Sequence, residues 1–342
     1  MPDYVPTNAA SSGVKLDKKI LKAIAARSDR PGLIYLAQWG VALLISGILV
    51  QQSLGTLWVW PAMFVLGVFL TVPAYSFSHE CAHGTAFRTR WLNETVLWVT
   101  SFIYMEEPLH RRYTHTNHHT HTWHVGKDSQ MPFDTPMGFS GWFAEITGFA
   151  LLRFHLQVFR HLATRTYTDA MQMVTPEHEF PKMTRNARIM IALYALIALT
   201  PLFGIWWPLW FLIIPRILGA PVMLLFTLIQ HVELQENSPS ILESTRSFST
   251  GWLGRFLYMN MNNHVEHHLY PQVPFHALPK LADAIKDQVP EPDRGFTRTN
   301  FEVLVVVARR SLGLSTKAPT IRQAPHMITD GGPVKRIAQR TM

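Results

Sequence analysis

The chain has 342 residues, 48% of them apolar and only 16% charged, against roughly 25% charged in typical soluble proteins. With eleven Trp and twenty Phe, this balance points to a membrane protein. The single cysteine, Cys81, excludes an intramolecular disulfide and any Cys-rich metal site. A formal charge of +8 requires strongly basic flanks around the apolar segments, and no nucleic-acid partner is expected.

Residues 1–30 are polar and basic, with Lys15, Lys18, Lys19, Lys22, Arg27 and Arg30. They contain no apolar run followed by a small-residue cleavage site, so the N-terminus is expected in the cytosol. Two uncharged runs follow, predicting spans at about 33–53 and 57–77. Each approaches the ~20 residues a bilayer crossing needs. The short link QQSLGT makes them a hairpin. Weaker apolar stretches at 94–105 and 139–153 read as interfacial or buried helices. A second hairpin is predicted at 188–203 and 205–230, joined near Gly204. Its last span carries Arg216, Pro215 and Pro221, so its far half is expected to leave the membrane or kink. Trp206, Trp207 and Trp210 suit an interface. The tail at 315–342 is expected to be poorly ordered, leaving one domain over 1–314.

Lys and Arg are absent from the links 51–56 and 204–207 and abundant in the N-terminus, in 80–188 and in the C-terminus. By the charge rule for membrane loops, those three basic parts lie in the cytosol. The expected fold is an all-α integral membrane protein with two transmembrane hairpins and a cytosolic helical cap. None of the seventeen histidines falls inside an apolar span or an outer turn.

Their spacing carries the chemistry. HECAH places His79 and His83 four apart, on one helical face. HTNHH places His115, His118 and His119 at i, i+3 and i+4, and HVEHH repeats this with His264, His267 and His268. His231 stands at the end of the fourth span. On a helical wheel, His118 falls about 60° to one side of His115 and His119 about 40° to the other, with His110, His121 and His124 on the opposite face. Those three suit supporting or surface roles. His155, His161, His178, His276 and His326 lack partner spacing and default to structural or surface roles.

Nine clustered imidazoles exceed one ion's coordination sphere, so two ions are implied. Neutral imidazole suits Fe, Cu, Ni and Zn, and spacing alone does not choose among them. Glu80, Glu266, Glu233 and Asp128 lie in or near the histidine groups and are candidates to orient them. HECAH also fits the zinc-protease pattern H-E-x-x-H with Glu80 as base, which leaves most of the other histidines unexplained. A non-enzymatic metal-binding or transport protein is a third class.

HECAHGTAF (79–87), RRYTHTNHHTHT (111–122) and NNHVEHHLYPQVPFHALPKL (262–281) together resemble the membrane fatty acid desaturase superfamily and its related hydroxylases, over roughly residues 30–285. The resemblance implies a non-haem centre of two Fe ions that uses O2 as co-substrate. It assigns His79, His83, His115, His118, His119, His264, His267 and His268 as ligands and matches His231 to an extra histidine before the third box. Asn263 would hold a metal-bound water. His264 stands where front-end desaturases carry Gln, which argues against that subclass, and HECAH is closer to boxes of acyl-lipid enzymes than to those of the acyl-CoA type. No haem motif is fused, so a separate carrier such as a ferredoxin or a cytochrome b5-type protein would supply electrons. The implied substrate is a membrane lipid or acyl chain, and the implied location is a bacterial inner membrane. A related hydroxylase or monooxygenase acting on a hydrocarbon or on a small metabolite, as in rhizopine breakdown, is the alternative.

Overall fold

The computed structural model describes residues 12–131 and 135–316, so the predicted tail at 315–342 lies almost wholly outside the described residues. Among them there is no β-strand, and four helical segments are long and apolar enough to cross a bilayer: Asp29–Ser53, Val59–His83, Glu177–Phe203 and Leu209–Leu228. The first begins at Asp29, ahead of the uncharged run, because Ser28 accepts a hydrogen bond from Arg30 N at 3.3 Å and caps it.

The order begins with α1 (Lys18–Ile24), α2 (Asp29–Ser53) and α3 (Val59–His83), the last two forming the first hairpin. The connecting region holds α4 (Arg90–Tyr104), α5 (Pro108–His121), α6 (Phe139–Ile146), α7 (Phe149–Thr164) and α8 (Asp169–Val174). The second hairpin is α9 (Phe180–Leu199) and α10 (Ile214–Leu228). Five short to medium helices close the chain: α11 (Ile241–Ser244), α12 (Trp252–Leu257), α13 (His264–Leu269), α14 (Leu278–Ile285) and α15 (Phe296–Ser311). The weak stretches behave as expected. α4 packs on α3, and α6 and α7 leave Phe139, Phe143, Phe149, Leu152 and Leu156 exposed, as interfacial helices do.

α3 is the central element. Its apolar window is 61% buried, against 22% for α2 and 17% for the α9 segment. At ~1.5 Å per residue its 25 residues span roughly 37 Å, more than the ~30 Å of hydrocarbon. Trp58 and Trp60, both exposed, mark the interface at its start. His79 and His83 lie at the opposite end of the helix.

α3 and α10 cross with their backbones in contact. A Cβ on Gly67 would overlap the Pro215 carbonyl, and one on Gly219 would overlap Gly67 itself. Small residues at a crossing allow this approach where no hydrophobic drive between helices exists. Arg216 reaches from α10 to the end of α4, where Nη2 donates to the Tyr104 carbonyl at 2.9 Å. An intramembrane cation is thus satisfied by a helix C-terminus. The fourth span contains one irregular turn. It is a π-helical turn at Leu209–Ile213, and the helix then continues through Pro221 to Leu228.

Candidate metal centre

Three local devices present the histidines. α3 ends on Gly84 at φ +66°, a left-handed cap that stops the helix one residue after His83. α5 starts sharply because Pro108 sits in its first turn and the Glu107 carboxylate accepts from His110 N at 2.6 Å. α13 is only six residues long and follows Met259 and Asn260, both in the left-handed region. His231 comes just past the end of α10.

All nine histidines converge, in two groups. His79, His83, His115, His119 and His267 form one, and His118, His231, His264 and His268 form the other, with donor atoms within 4.8 Å of one another in each. The boxes are split between them. His118 leaves His115 and His119, and His267 leaves His264 and His268, because the i+3 side chain diverges from the i and i+4 pair around the helix. In the first group His115 Nε2 lies 2.9 Å from His83 Nε2 and 3.1 Å from His119 Nε2, which is 3.2 Å from His267 Nε2. In the second, His264 Nε2 lies 3.0 Å from both His231 Nε2 and His268 Nε2.

The outer nitrogens explain this direction. His231 Nδ1 meets the Ser244 carbonyl at 2.8 Å, which only accepts, so Nδ1 carries the proton and Nε2 presents a lone pair inward. His118 Nδ1 meets Asp128 Oδ2 at 2.8 Å. Asp128 is itself held by the Trp123 and Gln130 backbone N–H groups, each at 2.8 Å. His115 Nδ1 faces Gln130 Oε1 at 3.1 Å, and His268 Nδ1 faces Thr122 Oγ1 at 3.2 Å. Desolvation, reinforced by neighbouring histidines, holds His115, His119, His264 and His268 well below the ordinary range, as it does His267, and lowers His231 to about 3.

These residues fit metal ions. Nitrogens about 2.1 Å from one ion and at right angles stand ~3.0 Å apart, close to the spacings found. His79, fully buried, has neither ring nitrogen hydrogen-bonded. Five donors in one group exceed a four-coordinate zinc site.

Of the four acids proposed as orienting groups, Asp128 alone bonds a histidine of the two groups. Glu80 accepts from Thr85 Oγ1 at 2.8 Å and Phe275 N at 3.2 Å, Glu266 accepts from Ser247 Oγ at 2.6 Å, and Glu233 pairs with Arg310. Glu80 and Glu266 are buried, so neither forms a surface ion pair. Gln130, Ser244 and Thr122 were not anticipated, and no local spacing marks them. The Asn263 amide donates to the Asn260 carbonyl at 3.2 Å. His110 and His155 are buried nearby, whereas His121 and His124 stand half-buried outside the groups. His326 lies outside the described residues.

A cavity of about 140 Å³ adjoins the centre, touching His115, His118, His231 and His264.

Comparison with known proteins agrees with this geometry. The sequence profile described as fatty acid desaturase matches residues 54–300, which contain all nine histidines. Fatty acid conjugase FAC2 A of Calendula officinalis is 25% identical over 262 residues, 67% of this chain and 68% of that protein. The sn-1 oleoyl-lipid 12-desaturase of Arthrospira platensis is 23% identical over 254 residues, 66% of each. With its spans, its paired histidine groups and this match over most of its length, the chain belongs to the fatty acid desaturase family.

Proposed function

We propose that the nine histidines are the ligands of two iron ions and that the protein is an O2-dependent oxidoreductase acting on unactivated C–H bonds. The observation that carries this reading is the sorting of the donors into groups of five and four with inward Nε2 atoms. Irons bound there would supply the redox chemistry, in which dioxygen, two electrons from a separate carrier, two protons from water and two substrate hydrogens would end as two waters and a double bond.

The chain's own residues prepare that chemistry. Asp128 and the Ser244 carbonyl fix the tautomers of His118 and His231, so both rings hold their direction before substrate arrives. Tyr75, Tyr104, Leu224 and Leu228 give the adjoining cavity an apolar wall beside the histidines. The basic segments around the spans support a centre at the cytosolic face of a bacterial inner membrane. The same basic surface suits docking of an acidic electron carrier such as a ferredoxin. Residues 1–314 act as one domain in this reading.

A lipid acyl chain is the substrate the relatives suggest. Hydroxylation of a small molecule is the second reading, favoured by the polar residues Glu106, Arg111, Gln130 and Glu145 in the cavity wall. There one dioxygen atom enters the substrate and the other leaves as water, with electrons and protons from the same sources. Mass spectrometry of lipids and metabolites from cells with and without the gene tests both. A new unsaturated lipid supports desaturation, and a metabolite heavier by one oxygen supports hydroxylation. Purified protein with bound zinc and no iron overturns the oxidative reading.

A further inference from the structure

The cavity beside the centre is small and carries charge, a combination that suits a small charged molecule. Its volume is about 140 Å³. A cavity of roughly 150 Å³ encloses a molecule the size of benzene. Its walls include the rings of Tyr75, Tyr104, Trp123 and Phe154.

The charges within it do not cancel. Arg111 and Glu106 form one buried pair, Nη1 to Oε2 at 3.8 Å, and the guanidinium packs over the Tyr75 ring at 4.6 Å. Those two charges offset each other. Glu145 remains. It lies on α6, is 9% exposed and lines the same cavity. Its carboxylate has no hydrogen bond or ion pair among the described residues, and burial alone raises its pKa. A buried carboxylate is costly unless a cation meets it. Aromatic faces around a cavity supply further attraction for a positive charge, most of all for a desolvated ammonium.

We infer that this cavity binds a small organic cation, an ammonium-bearing molecule about the size of choline, with Glu145 as its counter-ion and Tyr75, Tyr104 and Trp123 as its aromatic walls. His118, His231 and His264 touch the same cavity, so a carbon near the bound nitrogen faces the four-histidine group. The oxidation of that carbon rests on the function proposed above; the binding does not.

The test uses the purified full chain in detergent, with choline as probe and 3,3-dimethylbutanol as its uncharged isostere. Binding is followed by calorimetry or by tryptophan fluorescence. Choline is expected to bind at least about tenfold more tightly than the isostere. Glu145→Gln removes that preference, and Glu145→Asp, which keeps the charge, retains it. Equal affinities, absence of choline binding at millimolar concentration, or an unchanged preference in Glu145→Gln overturns the inference. Iron analysis of the same preparation separates the two readings. Choline preference without iron sinks the oxidative function and supports the cation site, whereas bound iron without preference does the reverse.

Discussion

His118 and Glu145 line the same cavity and are held in contrasting ways. His118 is locked by Asp128 at 2.8 Å, and Asp128 is locked in turn by two backbone N–H groups. Glu145 has no such partner among the described residues. One wall of the cavity is therefore preorganised by the protein alone, and the other is completed only when something enters. A metal ligand must hold its direction before the ion binds, because a rotating imidazole loses affinity. A substrate-binding charge gains most when its only good partner is the ligand.

Breaking the preorganised wall at its ligands should have the largest effect. In His118→Ala or His267→Ala, iron per chain drops and product formation falls below detection; a variant that keeps full iron and full activity removes that residue from the ligand set. Asp128→Ala leaves every ligand in place but frees His118 to turn. Iron retention against a chelator should weaken about 10–100-fold, the usual range for such supporting groups, and an unaltered retention would show that Asp128 only shapes the loop. Gly219→Leu acts on the frame instead. It forces α10 away from α3, and the unfolding midpoint in detergent should drop by the equivalent of about 1–3 kcal/mol, with wild-type stability refuting the close crossing. Gln130→Ala sharpens the comparison from its weak end. A neutral side-chain bond contributes only ~0.5–1.5 kcal/mol, so His115 should loosen just enough for a few-fold faster iron loss.

Much of the frame was legible in the residues. The apolar runs predicted all four spans, and the histidine spacing picked out the nine side chains that meet. One expectation needed correction. Glu80, Glu233 and Glu266 looked like orienting groups because they neighbour the boxes in sequence, yet their carboxylates turn to Thr85, Arg310 and Ser247. Proximity along a chain says little about which way a side chain faces.

By itself the sequence determined that this chain crosses a membrane and gathers imidazoles at one end of its helices. Hydropathy and helical period are local properties, readable from neighbours a few residues apart. The tertiary structure alone decided which histidines share a group, which acceptors steer them, and that a small charged cavity lies alongside. Those outcomes join positions as distant as Thr122 and His268, 146 residues apart, and depend on how α5, α10 and α13 pack around the end of α3.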